Sequence, residues 1–229
     1  MRFINNRNRE PKELSNYRKT PGVTYDNFPD KTVVRQSLVD EQGYICAYCM
    51  GRIDTGMCTI EHYVSQTRHQ DSPYKEAIHK RLSLQYANMC GVCINNGAHC
   101  DKHRGNIPLN ILDPHKSNCE TLITYELGGK ILPVKVNITV IDKEKVQKDI
   151  AILGLDCEEL KKRREATWDE VLERFKREHE KKEWSKELFL EYANKYRNKQ
   201  KTRKGLKFHA YCNFIVWCFE HYANNYKNL

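Results

Sequence analysis

The C-A-Y-C turn at Cys46 and Cys49 constrains this chain more than any other feature. Two thiols offered by one tight loop suit a zinc ion, which takes four tetrahedral ligands and ties together the segments that supply them. A second pair is therefore expected downstream. Cys93 and Cys100 form one candidate, and Cys90 and Cys93, with the usual two-residue gap, form another. The N-terminus, MRFINNRNREPKEL, lacks the apolar core of a secretory signal. The expected compartment is the reducing cytoplasm, where clustered cysteines point to metal rather than to disulfides. Cys58, Cys119, Cys157, Cys212 and Cys218 read as plain thiols. No apolar run approaches the ~18 residues of a membrane span, so no membrane partner is expected.

Hydrophobic residues make up 39% of the 229, enough for a core, and charged residues make up 30%. A net charge of +9 favours a polyanionic partner, because basic groups that meet phosphates release condensed counterions. Lys195 to Lys207 carries seven basic residues and no acid, and reads either as a phosphate grip or as a solvated turn.

The chain divides into three parts by composition. Residues 1–29 are polar and proline-punctuated, and read as an extended arm for a partner. Residues 30–140 hold the clustered chemistry. Within them, Lys31 to Gln42 has a helical face and Tyr44 to Ile53 holds the cysteine turn. Thr59 to Val64 and Tyr86 to Met89 read as strands, and Tyr74 to Leu82 and Asp101 to Ile107 as short helices. Leu122 to Leu127 and Lys130 to Val136 flank Gly128-Gly129, a hairpin signal. Residues 141–229 read as helical. Trp168, Val171, Leu172 and Phe175 keep helical spacing, as do Tyr211, Phe214, Ile215 and Cys218.

Between the cysteine pairs lie residues suited to phosphodiester hydrolysis. Glu61-His62 follows Ile60 in a strand-like segment, Asn88 comes twenty-six residues after His62, and Asp101 directly follows Cys100. Imidazole titrates near working pH, so His62 is the candidate general base. Carboxylates at Glu61 and Asp101 offer hard oxygen ligands to magnesium or manganese. Lys102, His103 and Arg104 follow as candidate nucleic-acid contacts, with His103 also a reserve ligand.

This order, acid-His, then Asn, then N-M-C-G-V-C and C-D-K-H-R-G, resembles the HNH or ββα-metal nuclease motif. That resemblance implies an α+β fold: a ββα-metal core with a four-cysteine zinc knuckle, then a β-hairpin and a mostly helical C-terminal region. Setting Asn88 at the motif's fixed offset selects Cys93 and Cys100 to join Cys46 and Cys49 on structural zinc. It also gives Asn88 the task of orienting the His62 strand through backbone hydrogen bonds. Two departures stand out: Asp101 replaces the commoner Asn or His, and Ile94 to His99 is a long insertion.

The resemblance widens through E-P-K-E-L-S-N-Y-R-K-T-P, R-Q-S-L-V-D-E-Q-G-Y-I-C-A-Y-C-M-G-R-I, I-E-H-Y, Y-A-N-M-C-G-V-C and H-C-D-K-H-R-G-N. Over residues 9–114 the chain is similar to the PtuB-type HNH nucleases of Septu anti-phage systems and related retrons. That similarity implies a cytoplasmic endonuclease, with DNA rather than RNA the expected substrate, and an ABC-type ATPase partner of the PtuA kind. A different reading of the same residues is a catalytically silent zinc module that recruits nucleic acid or scaffolds an ATPase. The deaminase alternative lacks H-x-E and P-C-x-x-C.

Overall fold

The computed structural model describes residues 1–5, 10–181, 183–203 and 205–226. Residues 6–9 of the expected arm and Lys204 of the basic run lie outside the described residues. The fold is α+β, with small two-stranded antiparallel sheets among helices.

Helix α1 (Lys12–Tyr17) lies inside the expected arm, so the arm is not extended throughout. Its Leu14 packs with Tyr25 and Phe28 against Val34 and Leu38 of α2 (Lys31–Glu41), in a cluster with Leu84, Tyr86 and Met89. Leu14, Tyr25 and Phe28 thus hold a polar segment in place. Helix α2 starts where the Asp30 carboxylate accepts the Val33 N–H, an N-cap. It ends at Gly43, whose φ of +61° reverses the chain. Gln42 is buried there. Its amide donates to the Ile45 and Gly91 carbonyls and accepts from the Gly91 N–H, fastening the helix to the cysteine turn and to β2.

Strands β1 (Cys58–His62) and β2 (Met89–Cys93) pair antiparallel, with Glu61 opposite Cys90 and His62 opposite Met89. Between them runs α3 (Glu76–Leu82). Tyr86–Asn88 is a 3₁₀ turn rather than the strand expected there, and the strand begins one residue later. Helix α4 (Cys100–Arg104) packs on β2. The expected hairpin is present as β3 (Ile123–Tyr125) and β4 (Ile131–Pro133).

Helices α5 (Val140–Ile152), α6 (Glu158–Glu178), α7 (Lys186–Arg197) and α8 (Cys212–Asn225) follow, with a small hairpin, β5 (Gln200–Thr202) and β6 (Gly205–Lys207), before the last. The expected faces turn inward: Trp168, Val171 and Phe175 on α6, and Phe214, Ile215 and Cys218 on α8. One hydrophobic cluster runs from Cys46 and Cys49 through Ile123 to Phe219, so the core does not divide near residue 140. Two buried polar anchors cross it. The Asp149 carboxylate accepts N–H groups from Asn110, Ile111 and Leu112, and Arg164 donates to the Gly129 and Leu155 carbonyls. No described helix is long and apolar enough to cross a membrane.

Candidate metal centre and carboxylate pair

The cysteine turn brings Cys46 and Cys49 together through tight backbone hydrogen bonds, Cys46 N–H to the Gly51 carbonyl and Met50 N–H to the Cys46 carbonyl. Cys93 ends β2, and Cys100 opens α4 with its N–H on the Leu153 carbonyl. The sulfur atoms of Cys46, Cys49, Cys93 and Cys100 all lie within 4.8 Å of one another. Cys46 and Cys100 are 3.8 Å apart, and Cys49 and Cys93 are 3.7 Å apart. A tetrahedron with Zn–S bonds of ~2.3 Å has edges of about 3.8 Å, which these two pairs match, so the four residues suit a zinc ion. The cluster is a four-thiol site that could bind structural zinc.

The rival, Cys90, points elsewhere because side chains alternate along a strand. Three residues separate it in number from Cys93, so the two leave β2 on opposite faces, and Cys90 faces Glu61 across the ladder. Cys58, Cys119, Cys157, Cys212 and Cys218 also stay outside the cluster. Burial pushes Cys46 and Cys100 up, whereas hydrogen bonding to Cys100 draws Cys49 and Cys93 down. His99 is 1% exposed, with Nδ1 3.2 Å from Cys100 Sγ and 3.8 Å from Cys93 Sγ. The Gly51 N–H and the Asn95 amide also reach cluster sulfurs, spreading the charge of thiolates over protein dipoles.

Glu61 leaves β1 on the Cys90 face and is buried. Its Oε1 accepts from Tyr48 Oη at 3.1 Å and from Arg104 Nη1 at 2.5 Å. Asp101, one residue past Cys100 on α4, stands near enough for its charge to act on Glu61. Burial pushes Glu61 up to about 8. The Arg104 guanidinium pulls against that shift and the Asp101 charge adds to it.

Arg104 is not a surface contact. It is 1% exposed and spends its donors on Glu61, Tyr48 Oη and the Ile107 and Tyr63 carbonyls. Arg and Lys are rarely buried unless paired, and here the pairing is with Glu61. Of the three basic candidates on α4, only Lys102 and His103 face outward, and His103 Nδ1 donates to the Ile152 carbonyl. Sequence reasoning missed Tyr48 as a site residue and missed the inward role of Arg104. The signal for Tyr48 was its place inside C-A-Y-C.

His62 leaves the strand on the opposite face from Glu61. It is 3% exposed, and the Tyr25 ring meets it edge-on at 4.5 Å. Its Nε2 lies 2.9 Å from the Ser83 carbonyl. A carbonyl only accepts, so Nε2 carries the proton and Nδ1 keeps a lone pair. Burial pulls the ring down to about 4, so it is neutral at neutral pH. Asn88 does not join the two faces but braces the chain beside them. It accepts from the Val64 N–H and donates to the Val64 and Leu82 carbonyls, bracing the chain just past His62.

No protein-family model matches the chain, and no curated protein matches it.

Proposed function

We propose that this chain is a zinc-stapled HNH endonuclease that hydrolyses phosphodiester bonds, with DNA rather than RNA as the expected substrate, as the nuclease subunit of an ATPase-coupled anti-phage system. The observation that carries the reading is the four-cysteine cluster closed by β2 and α4, with buried Glu61 on the paired strand β1 and Asp101 directly after Cys100 on α4. Hard carboxylate oxygens suit magnesium or manganese, which when bound would offset charge on the scissile phosphate and leaving oxygen. His62, neutral and fixed by Ser83, is the base of this reading; it faces away from the carboxylate pair, so the Tyr25 cover must open before Nδ1 meets a water. Asn88 holds that strand end in register. Zinc on four thiolates has no open position and serves the fold alone. The ATPase partner and the defence role rest on the similarity of residues 9–114 to PtuB-type nucleases.

The burial of His62 and the Arg104 clamp on Glu61 favour a second reading, a silent zinc module for nucleic acid or an ATPase. One experiment separates the two. Purified, zinc-loaded chain is incubated with supercoiled plasmid, with and without magnesium or manganese, alone and with its neighbouring ATPase. Nicking that requires the added cation is expected. Intact plasmid in every lane, at full zinc content, selects the silent module.

A further inference from the structure

The segment between β1 and β2 supplies no cysteine ligand and neither carboxylate, yet its polar groups are closely paired. His79 is 1% exposed and sits at its centre. One ring nitrogen meets the Ser65 carbonyl at 2.6 Å, so it donates, and the other accepts the Ser72 hydroxyl at 2.8 Å. Arg68 adds a bond to the Tyr74 carbonyl. These contacts hold residues 64–79 as one wall of a cavity of about 400 Å³. The opposite wall is the end of α4 and the turn after it, with Arg104 and Asn106. Tyr63 and Tyr74 both line the space, and Lys116 stands at its edge.

Resting on the nuclease reading above, we propose that this cavity receives one unstacked base of the substrate strand, next to the bond to be cut. Its contents suit that occupant. Tyrosine faces stack on any base, and the Asn106 amide, which makes no hydrogen bond among the described residues, offers a donor and an acceptor to a base edge. Tyr74 is 42% exposed and can close over a ring without disturbing the core. The cavity also touches the carboxylate pair through one residue. Arg104 binds Glu61, donates to the Tyr63 carbonyl and lies 5.7 Å from the Tyr63 ring. Beyond Tyr63 and Asp113 a second hollow, of about 490 Å³, continues past Asn88 and carries Arg81 and His115. A strand has an open track there on which to leave, with Arg81 to meet a phosphate and the Asp113 carboxylate held by His115.

Short single-stranded oligonucleotides carrying fluorescent aminopurine at one position test this with the full zinc-loaded chain and no added magnesium or manganese. Binding should change aminopurine emission at one position and leave the others unaffected. Tyr74→Ala should abolish the change and weaken binding roughly ten-fold, Tyr74→Phe should retain both, and Asn106→Ala should alter the preference among bases at that position. Equal affinity and emission in wild type and Tyr74→Ala overturns the proposal, as does failure of the wild type to bind. The assay needs no cleavage. A positional signal in a chain that never cuts supports the cavity and sinks the nuclease, whereas cleavage without the signal does the reverse.

Discussion

Glu61 is pulled by its neighbours in opposite directions, and that makes it the most informative residue to titrate. Its folded value, pushed to about 8 by burial, lies above the ordinary carboxyl value of 4.5. Between those limits the folded chain holds a proton that the unfolded chain has lost, so stability falls as pH rises through the window. Melting curves of the magnesium-free protein should show that loss, and Glu61→Gln should remove this part of the slope. Added magnesium should protect more at the upper end, where binding expels no proton. Equal slopes in wild type and Glu61→Gln would show that Glu61 is already ionised by Arg104. A second residue-scale outcome concerns Arg104 itself. Arg104→Met leaves buried Glu61 without its cation and the Tyr63 carbonyl without its donor, and should cost ~3–5 kcal/mol in denaturant unfolding. The sequence did not reveal this, because the basic run on α4 advertises charge and says nothing about which member turns inward. His62 was legible as a chemical group; its face and its Tyr25 cover were not, because they depend on a distant segment.

At the scale of elements, spacing carried most of the information. The Gly128-Gly129 turn, the α6 stripe and the α8 stripe all stand where local pattern puts them. The cysteine choice came from the offset of Asn88 in the resembled motif, and the structure agrees with it because strand alternation sends Cys90 and Cys93 to opposite faces. Cys100→Ser should therefore release zinc and destabilise the fold, while Cys90→Ser keeps the metal, as zinc assays and melting will read. Retained zinc in Cys100→Ser would move the ligand to another residue. The hairpin supplies a sharper test of packing. Gly129 has φ +71°, and an added Cβ would come 2.5 Å from the Lys161 carbonyl oxygen on α6. Gly128 has φ +82° and meets nothing closer than Glu165 Oε1 at 3.8 Å. Gly129→Ala should destabilise by more than ~1 kcal/mol and by more than Gly128→Ala, because backbone strain is joined by a clash. What spacing did not show is the 3₁₀ turn at Tyr86–Asn88, which lets Asn88 reach back to Val64 and Leu82.

Over the whole molecule, a single cluster joins the cysteine turn to the helices, with Tyr211 N–H on the Met50 carbonyl at the seam. Composition marks a change near residue 140, but packing crosses it, since burial follows contacts rather than local polarity. The same holds for the arm: Leu14, Tyr25 and Phe28 are too irregularly spaced to read as a face, yet they close over the His62 side of β1. An ATPase that binds this region must use the outward residues of α1 and the turn after it, among them Lys12, Glu13 and Lys19. Reversing the charge of Lys12 and Lys19 should weaken co-elution with the ATPase while sparing zinc and melting temperature, and unchanged co-elution would place the contact elsewhere. The central claim, that this fold cuts phosphodiesters, is tested most directly by measuring zinc content and magnesium-dependent plasmid cleavage side by side in wild type and His62→Ala. The account predicts equal zinc, with cleavage lowered ~10²–10⁴-fold in the variant. Cleavage by His62→Ala at the wild-type rate, or none by either protein, would contradict it.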